Sequence, residues 1–363
     1  MNKSKNIKFS IVGCGRVAQH YYELFKKKKI RNYEVISVCD TDSKKSMYLA
    51  KQLGAKSYLN IVKMLKETKP DIVLVLTISG QHYLNCKKIL NLGFNIICEK
   101  PLAMSSYECL KLDKLAKLKN LSLGVVFQNR LNLSIQLLKK YLDKKKFGKI
   151  ITVSVKLIWC RYQNYYNDGW HGTWQNDGGV TNQQAIHHID VLNWLFGPLK
   201  SITSIMSKRV NNLEAEDTMV SAFEINKGGL GTIEATTAAR PKDYEASITI
   251  TGTKGYAKIG GIALNKIENW EFKNQSKKKS QNIKARYSEV VPNGYGLSHI
   301  KYLNQSIANF KKRKKKFPVS AIDAAETQKL INAIYLSYEK NKKIFLGNKD
   351  INSKYLGKKL IKN

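Results

Sequence analysis

The feature that most constrains the fold is a glycine-rich turn directly after the first apolar strand. The strand candidate Ile7–Val12 runs into the sequence Gly13-Cys14-Gly15-Arg16-Val17-Ala18, a G-x-G-x-x-A pattern. The first glycine permits a tight turn, the second lets the backbone approach a pyrophosphate, and the small third residue lets the next helix pack on the strand. The N-terminus of that helix faces the phosphates, so the pattern predicts a dinucleotide site that includes Gly13, Gly15, Arg16 and Val17.

The end of the second predicted strand indicates which dinucleotide binds. Strand Tyr33–Cys39 is followed by Asp40, and an acid at this place accepts hydrogen bonds from the adenosine ribose hydroxyls. This favours NAD over NADP, although Lys44 and Lys45 lie close enough in sequence to weaken the preference. The alternative is a pair of helix-packing glycines in an α/β domain that binds no nucleotide. We predict NAD as the cofactor, with Asp40 on its ribose.

Residues 1–128 alternate short apolar runs with amphipathic stretches, which is the pattern of βαβ units. Further strands are predicted at Asp71–Leu76, Asn95–Cys98 and Leu121–Phe127, and helices at Lys44–Leu53 and His82–Leu92. A parallel sheet of this kind is covered by helices on both faces. We therefore expect an NAD-binding Rossmann domain with a doubly wound parallel sheet over residues 1–128.

The pattern changes after residue 128. A predicted helix, Ser134–Asp143, precedes strand segments rich in β-branched residues, which favour an open, mainly antiparallel sheet. These strands are Ile150–Trp159, Ile202–Val210, Thr218–Ile225, Leu230–Thr236, Glu245–Thr251 and Ala257–Ile259, and further helices are Asn182–Phe196, His299–Lys311 and Ala321–Lys340. We predict an α/β protein overall, with an α+β domain for substrate binding and oligomerisation over residues 129–345 and a loosely held, basic polar tail over 346–363.

Charge is the strongest compositional signal. The chain has 63 lysines and arginines against 27 aspartates and glutamates, a formal net charge of +36. One interpretation is a surface for nucleic acid or another polyanion. However, the short lysine runs at Lys26–Lys29, Lys144–Lys146, Lys277–Lys279 and Lys311–Lys316 are scattered and match no nucleic-acid motif. We therefore expect ordinary exposed lysines and no nucleic-acid partner.

Other sequence features exclude several classes of protein. No run of about 20 apolar residues is present, and the first apolar strand is too short for a signal-peptide core, so we expect a cytoplasmic protein without a membrane partner. Six cysteines show no C-x-x-C pair and no cluster with histidine. They indicate buried or incidental thiols, and neither disulfides nor a metal site is expected.

The segment after the fourth predicted strand carries a candidate reactive group. There the sequence reads Cys98-Glu99-Lys100-Pro101, and the carboxyl end of a parallel strand opens into the crevice where such sheets bind ligands. We expect Glu99 and Lys100 beside the cofactor, with Thr77 and His82 at its rim. The proline fixes the local turn, with a cis bond as one option.

A second candidate segment lies in the other domain. It reads Gly178-Gly179-Val180-Thr181-Asn182-Gln183-Gln184-Ala185-Ile186-His187-His188-Ile189-Asp190. On a helix, Gln183 and His187 share one face and present an amide and an imidazole to a polar ligand. His188 points about 100° round the helix, so we expect a packing or surface residue there.

Together these motifs resemble one family. The G-x-G-x-x-A turn, Glu-Lys-Pro and Gly-Gly-x-x-Asn-Gln-x-x-Ile-His-x-x-Asp are similar to the glucose-fructose oxidoreductase / inositol dehydrogenase / rhizopine catabolism (Gfo/Idh/MocA) family over about residues 5–345. The resemblance extends to a branch of sugar-nucleotide 3-dehydrogenases through three further stretches: Arg161–Tyr166 with Trp170–Trp174, Arg240–Ser247, and Ile259–Gly261 with Leu264-Asn265. That branch acts on UDP-N-acetylglucosamine or its 6-carboxylate.

The resemblance implies that Lys100 and His187 form the catalytic pair of an NAD-dependent oxidoreductase. Oxidation of a secondary alcohol requires the hydroxyl proton to leave as hydride leaves for the nicotinamide. His187 is a natural base at neutral pH, and Lys100 either stabilises the alkoxide or takes the proton itself. Which of them is the base stays open. Many family members carry aspartate where Gln183 stands. The glutamine here makes Lys100 a stronger candidate for the base and favours the sugar-nucleotide branch.

The same resemblance suggests a set of substrate contacts. Arginine makes bidentate bonds to a diphosphate or a uronate carboxylate, although surface pairing is an equal alternative. Trp174 is as compatible with the core as with a sugar platform, and His171 stands where the branch has arginine. The candidates are Arg161, Tyr165, Tyr166, Trp174, Asn182, Gln183, His187 and Arg240.

The resemblance therefore implies oxidation of the sugar 3-hydroxyl to a 3-keto sugar, for the amino sugars of surface polysaccharides, by a homo-oligomer, either dimer or tetramer. The alternatives are a free-sugar or cyclitol dehydrogenase and a regulatory paralogue that binds NAD without turnover.

Overall fold

The computed structural model describes residues 6–27, 29–312, 314, 316–347 and 351–359, which form two compact units. The first unit contains the residues up to Phe127 together with His299–Ala325. The second contains Gln128–Ser298 and the residues from Glu326 onward. The sequence predicted one division near residue 128, whereas the chain returns to the first unit at His299.

The first unit is built on a six-stranded sheet in which every neighbouring pair is parallel, with the order β3-β2-β1-β4-β5-β6. The strands are β1 (Ile7–Val12), β2 (Tyr33–Cys39), β3 (Lys56–Tyr58), β4 (Ile72–Val75), β5 (Asn95–Cys98) and β6 (Leu123–Val125). All four residues of β4 are buried because helices cover both faces. The predicted Rossmann sheet is thus confirmed. Its strand order reverses between β1 and β4, which are neighbours at the centre of the sheet.

The helices of this unit begin at side-chain caps in three cases. Asp42, Asn60 and Ser105 accept hydrogen bonds from the first amides of α2, α3 and α5 respectively. The helices are α1 (Arg16–Lys26), α2 (Ser43–Leu53), α3 (Ile61–Thr68), α4 (His82–Asn91) and α5 (Ser106–Leu118).

The returning chain covers the β6 edge of this sheet. The Val125 N–H donates to the Val319 carbonyl at 3.1 Å, and Gly124 forms an antiparallel bridge with Ser320. Gly124 also lies against the Phe317 side chain, where a Cβ would overlap the ring. Pairing of this kind completes the hydrogen bonds of an edge strand.

The second unit is built on an eight-stranded sheet with the order β13-β12-β11-β7-β10-β9-β8-β14. Neighbours are antiparallel except β7 and β10, which run parallel. The strands are β7 (Ile150–Ile158), β8 (Leu199–Ser207), β9 (Thr218–Ile225), β10 (Leu230–Thr236), β11 (Glu245–Gly252), β12 (Gly255–Gly260), β13 (Lys266–Phe272) and β14 (Ile344–Phe345). The predicted α+β domain with a mainly antiparallel sheet is therefore confirmed.

One face of this sheet forms the core of the unit. Along β10, the side chains of Ile233 and Ala235 are buried and their neighbours point to the other face, which is the alternation of a strand with one covered side. Helix α8 packs on β7 and β11. The helices are α6 (Leu133–Asp143), α7 (Val180–Gln183), α8 (Ile186–Phe196), α9 (Lys277–Tyr287), α10 (Ser298–Lys311, which enters the first unit at His299) and α11 (Ala321–Lys340, in this unit from Glu326).

Several details differ from the sequence-based expectations, among them strand β8, which begins three residues earlier than predicted, and the unpredicted strands β3, β13 and β14. The helix predicted over Asn182–Phe196 is divided into α7 and α8, with a break at Gln184-Ala185. Within the segment expected to be a loose polar tail, Leu346, Ile351 and Leu356 are buried. Residues 348–350 and 360–363 of that segment lie outside the described part of the chain.

Among the described residues, no helix is both long enough and apolar enough to cross a membrane. The six cysteines are free thiols, of which Cys160 alone is not fully buried.

Candidate functional site

The glycine turn of the first unit contains two glycines with different surroundings. Gly13 has a φ of +95°, and a Cβ there would come within 2.6 Å of the Leu76 and Thr77 backbone. By contrast, a Cβ on Gly15 would meet nothing within 4 Å. Gly13 is thus required by the protein's own packing, whereas the space at Gly15 is available to a ligand at the N-terminus of α1, beside half-buried Val17 and exposed Arg16.

Asp40 joins the glycine turn to the end of β2. Its two carboxylate oxygens accept hydrogen bonds from the Cys14 N–H at 2.7 Å and the Asp42 N–H at 2.9 Å. Asp40 as a whole is half-buried. This arrangement fixes the carboxylate at the carboxyl end of β2, where dinucleotide folds contact a ribose.

Glu99 and Lys100 follow β5, as expected. The Glu99 carboxylate is buried and accepts hydrogen bonds from the Tyr21 hydroxyl at 2.8 Å and the Lys100 N–H at 3.2 Å. His299, from the returning helix α10, lies 3.5 Å away through its Nε2. Burial raises the pKa of Glu99, but His299, Lys100 and Tyr21 outweigh it and lower the pKa to about 2. Glu99 is therefore ionised, and its carboxylate holds the main chain of the half-buried Lys100.

His82 connects the loops after β4 and β5. Its Nδ1 lies 2.6 Å from the Pro101 carbonyl oxygen and its Nε2 lies 2.9 Å from that of Thr77. The ring is 1% exposed, and burial lowers its pKa below the ordinary value although both carbonyls oppose this. The bond between Lys100 and Pro101 is cis. His82 therefore holds these two loops together from within the fold.

In the second unit, the turn before α7 is tightly packed. Gly178 has a φ of +77°, and a Cβ there would lie 2.9 Å from Leu356 and 3.0 Å from the Tyr335 hydroxyl. A Cβ on Gly179 would overlap both the main chain and the carboxyl of Glu216. The two glycines are needed because other chain segments approach this turn from both sides.

The polar residues of α7 and α8 differ in their surroundings. Asn182 is fully buried: its amide donates to the Asp177 carbonyl at 2.6 Å and accepts from Gln328 at 3.1 Å. Gln183 is 7% exposed, and His187 is half-buried in the first turn of α8. His188 is buried against the Trp159 ring, and burial lowers its pKa to about 4. His188 is thus a neutral packing residue.

The two candidate arginines lie close to aromatic rings in this unit. The Arg161 guanidinium lies 4.9 Å from the centre of the Trp159 ring and bonds to the Asp243 carboxylate at 3.0 Å. That of Arg240 lies 4.5 Å from the Tyr162 ring centre and bonds to the Asn211 side chain at 3.0 Å. Both arginines are half-buried, so each is oriented before any ligand arrives.

The candidate aromatic residues are mostly engaged within the fold. The Tyr166 hydroxyl is buried and bonds to Thr237 at 2.7 Å, whereas Tyr165 is half-buried and stacks near His171 at 4.3 Å. Trp174 is 8% exposed and packs against the rings of Tyr335 and Tyr355. Trp174 therefore belongs to the aromatic core around the α7 turn.

Sequence reasoning missed several polar residues around these segments. Arg130 makes two buried hydrogen bonds to Asp190, at 2.8 and 2.7 Å, and Thr327 donates to the same carboxylate at 2.8 Å. Glu216 and Tyr335 lie at the α7 turn. Apart from Asp190, none of these residues belongs to a motif, and their partners are distant in sequence, so no local signal marks them. In the part of the chain that the structure describes, no cluster of His, Cys, Asp or Glu could hold a metal ion.

Comparison with protein families matches both parts of the chain. Residues 7–127 match the Gfo/Idh/MocA oxidoreductase family model for the NAD-binding Rossmann fold, and residues 139–346 match the model for the C-terminal alpha/beta domain of the same family. Among curated relatives, an inositol 2-dehydrogenase/D-chiro-inositol 3-dehydrogenase of Lactiplantibacillus plantarum is 24% identical, over 69% of this chain and 71% of its own. A D-glucoside 3-dehydrogenase of Escherichia coli is 23% identical, over 70% and 78%.

Two solved structures are more similar over longer stretches. The WlbA dehydrogenase of Chromobacterium violaceum, in complex with NADH and UDP-GlcNAcA, is 32% identical with a TM-score of 0.86, covering 94% of this chain and 96% of its own. The WlbA dehydrogenase of Bordetella pertussis, with the same two ligands, is 30% identical with a TM-score of 0.87, covering 94% and 98%. The chain therefore belongs to the Gfo/Idh/MocA family of oxidoreductases, with an NAD-binding Rossmann domain.

Proposed function

We propose that the protein oxidises the 3-hydroxyl of a UDP-N-acetylhexosamine, or of its 6-carboxylate, to a 3-keto sugar while NAD is reduced to NADH. One observation carries this proposal: two dehydrogenases crystallised with NADH and UDP-GlcNAcA match this chain at 30–32% identity over almost its whole length. The 3-keto product is the form that an aminotransferase converts to a 3-amino sugar for surface polysaccharides.

The first unit fits the cofactor. The open space at Gly15, the N-terminus of α1 and the fixed carboxylate of Asp40 suit a pyrophosphate and a ribose. We assign Gly13, Gly15, Arg16, Val17 and Asp40 to the adenosine and phosphate half. The loops after β4 and β5, with Thr77, His82, Glu99 and Lys100, belong to the nicotinamide half, where His82 and Glu99 support the loops from inside the fold. Bound NAD accepts the hydride that leaves the sugar carbon.

Lys100 and His187 are the proposed catalytic residues. The ionised Glu99 holds the main chain of Lys100 and adds negative charge near its ammonium group. Either Lys100 stabilises the alkoxide as a cation while His187 takes the hydroxyl proton, or Lys100 takes the proton itself. His187 lies half-buried in the first turn of α8 and is the imidazole that we place at the substrate.

Arg161 and Arg240 are the proposed anion-binding residues of the substrate. Both are half-buried, stacked near aromatic rings and pre-oriented by hydrogen bonds. Arg161 already has a carboxylate partner in Asp243, so its second edge is the one left for a diphosphate or a uronate. We assign Tyr165 and Gln183 to the sugar, whereas Tyr166, Trp174 and Asn182 support the surface from behind.

We further propose that the protein is a cytoplasmic homo-oligomer that associates through the outer face of its eight-stranded sheet. Apolar side chains on that face are exposed, among them Ile205 at 74% and Val220 at 49%, and these two residues are paired across β8 and β9. Paired exposed apolar residues on β8 and β9, near one end of the sheet, favour a second copy as cover.

The test is NADH formation with UDP-N-acetylglucosamine and its uronate, beside myo-inositol and glucose. The assay includes 2-oxoglutarate in case NAD stays bound, and follows its consumption. We expect turnover with one UDP-sugar, reduced at least about 100-fold in Lys100→Met and His187→Ala, since acid–base groups contribute about that much. Lys88→Met, at an exposed position on α4, is the matched control.

Other outcomes would select the alternatives. Turnover with free polyols alone would place the protein with the inositol and glucoside dehydrogenases that are its curated relatives. NAD binding without turnover of any substrate would favour a regulatory protein.

A further inference from the structure

A buried carboxyl lies directly against the α7 turn. Glu216 precedes β9 and is 3% exposed. Its main-chain oxygen accepts the Val180 N–H at 3.0 Å, and its Oε1 accepts the Thr181 N–H at 3.0 Å. One residue therefore holds two consecutive amides at the start of the helix that carries Gln183.

Tyr335 of α11 completes this arrangement. Its hydroxyl accepts the Gly179 N–H at 3.1 Å and donates to Glu216 Oε1 at 3.1 Å. The N–H groups of residues 179, 180 and 181 thus all donate to Glu216 or Tyr335. Glycine at 179 is what allows the carboxyl to approach so closely, because a Cβ there would overlap it.

Among the residues that the structure describes, no lysine, arginine or histidine forms an ion pair with the Glu216 carboxyl. Burial raises the pKa of Glu216 to about 7, and the interactions that oppose this are hydrogen bonds from Thr181, Tyr335 and its own main chain. Within the described residues, the titratable groups that act on this site are the Tyr335 hydroxyl on α11 and the Asp177 carboxyl in the loop before α7. Neither is positively charged, so ionisation of Glu216 leaves an uncompensated buried charge.

We propose that Glu216 is a positioning residue whose protonated carboxyl keeps the α7 turn closed and whose ionised carboxylate favours opening of the turn. The proposal rests on the proposed function, because α7 and the following α8 carry Gln183 and His187. The sign follows from linkage: a group that binds its proton more tightly in the closed turn than in water stabilises the closed turn at low pH. That stability is lost as pH rises from 4.5, the ordinary value, to about 7.

Hydrogen exchange tests the turn without any substrate. Exchange of a peptide that covers residues 175–186 would be compared between the wild type and Glu216→Gln, a neutral isostere, at equal pH. We expect similar protection at pH 5, and wild-type protection at least about tenfold lower than that of the Gln variant at pH 8. Glu224→Gln, which removes a carboxyl paired with Lys200 and Lys343 on the sheet, is the control and should leave the peptide unchanged.

Glu216→Ala removes the acceptor as well as the charge, so its peptide should exchange faster than that of the Gln variant at both pH values. An equal ratio of wild-type to Gln protection at pH 5 and pH 8 would overturn the proposal.

Kinetics separates this inference from the proposed function. With the UDP-sugar that is turned over, the ratio of wild-type to Gln-variant KM should rise several-fold from pH 6 to pH 8, while the kcat ratio stays constant. A KM ratio that is constant with pH would overturn the positioning role and leave the proposed reaction intact. Absence of turnover in every variant, together with the pH-dependent exchange, would overturn the proposed reaction and support the role of Glu216 in the α7 turn.

Discussion

At the scale of single residues, neighbouring positions with the same residue type serve different purposes. Gly13 is required by the fold, because its φ is positive and a Cβ would lie 2.6 Å from the backbone after β4. Gly15 has open space around it. The packing of the fold therefore does not require glycine at position 15, and the open space there is available to a ligand.

This contrast gives a prediction for NAD binding. Gly15→Ala should keep the free energy of unfolding within about 0.5 kcal/mol of the wild-type value, since the added methyl meets no atom of the protein. The same methyl would occupy the space of the pyrophosphate, so we expect at least about tenfold weaker NAD binding by fluorescence titration. Gly13→Ala should instead unfold at clearly lower temperature. Unchanged NAD affinity in Gly15→Ala would contradict the assigned cofactor site.

The sequence marks the residues that belong to motifs, but it gives no signal for the residues that support them. Lys100 and His187 stand out because each follows a recognisable pattern. Glu216 and Tyr335 could not be found in the same way, since Tyr335 lies 119 positions from the carboxyl that it contacts. Burial and pairing between distant positions decide such residues, and neither leaves a local signal.

At the scale of elements, local pattern fixed the strands well. The predicted bounds of β1, β2, β5, β9 and β10 agree with the structure because each is an apolar or alternating run that ends at turn residues. The division between α7 and α8 was not predicted, because Gln184-Ala185 is compatible with a continuous helix. Glu216 holds the start of α7, because its main-chain oxygen accepts the Val180 N–H and its Oε1 accepts the Thr181 N–H.

In the C-terminal segment Ile351–Lys359, too, contacts with distant residues decide the structure. Its composition is polar, yet Leu356 is 5% exposed and touches the Gly178 turn, and the Gly357 N–H donates to the Trp174 carbonyl at 2.8 Å. Buried apolar side chains thus hold a short, mostly polar segment in place. The average composition of the segment does not reveal this.

We predict that Leu356→Ala destabilises the protein by about 2–3 kcal/mol, because it removes a buried side chain from the packing around Gly178. Thermal unfolding would measure the loss, and proteolysis should cleave the C-terminal segment sooner than in the wild type. Lys358→Ala, at an exposed position of the same segment, is the control. Equal stability of the two variants would show that the segment contributes no packing to this turn.

At the scale of the whole molecule, charge and surface distribution decide solution behaviour. The net charge of +36 opposes association between copies at low salt. The outer face of the eight-stranded sheet nevertheless exposes Ile205 beside Val220, followed along the same row by Glu234 and Lys156, which pair at 3.6 Å. An apolar pair beside a balanced ion pair is compatible with a second copy in spite of the overall charge.

This row of residues predicts the effect of a charge on assembly. Ile205→Glu together with Val220→Lys should dissociate the oligomer at physiological salt without lowering the unfolding midpoint of the subunit, because both positions are exposed in the single chain. Sedimentation equilibrium would report the mass. Lys208→Glu, an exposed substitution just beyond β8, should leave the mass unchanged. An oligomer that persists in the double variant would place the interface elsewhere.

If hydride leaves carbon 3 of a UDP-sugar for NAD, deuterium placed on that carbon is transferred to the nicotinamide. The protein would be incubated with UDP-N-acetylglucosaminuronate, or with UDP-N-acetylglucosamine, carrying deuterium at carbon 3, and the nicotinamide released by denaturation would be analysed by mass spectrometry. We predict one deuterium in the NADH of the wild type and almost none with Lys100→Met or His187→Ala. Unlabelled NADH, formed while the sugar keeps its deuterium, would contradict the proposed reaction.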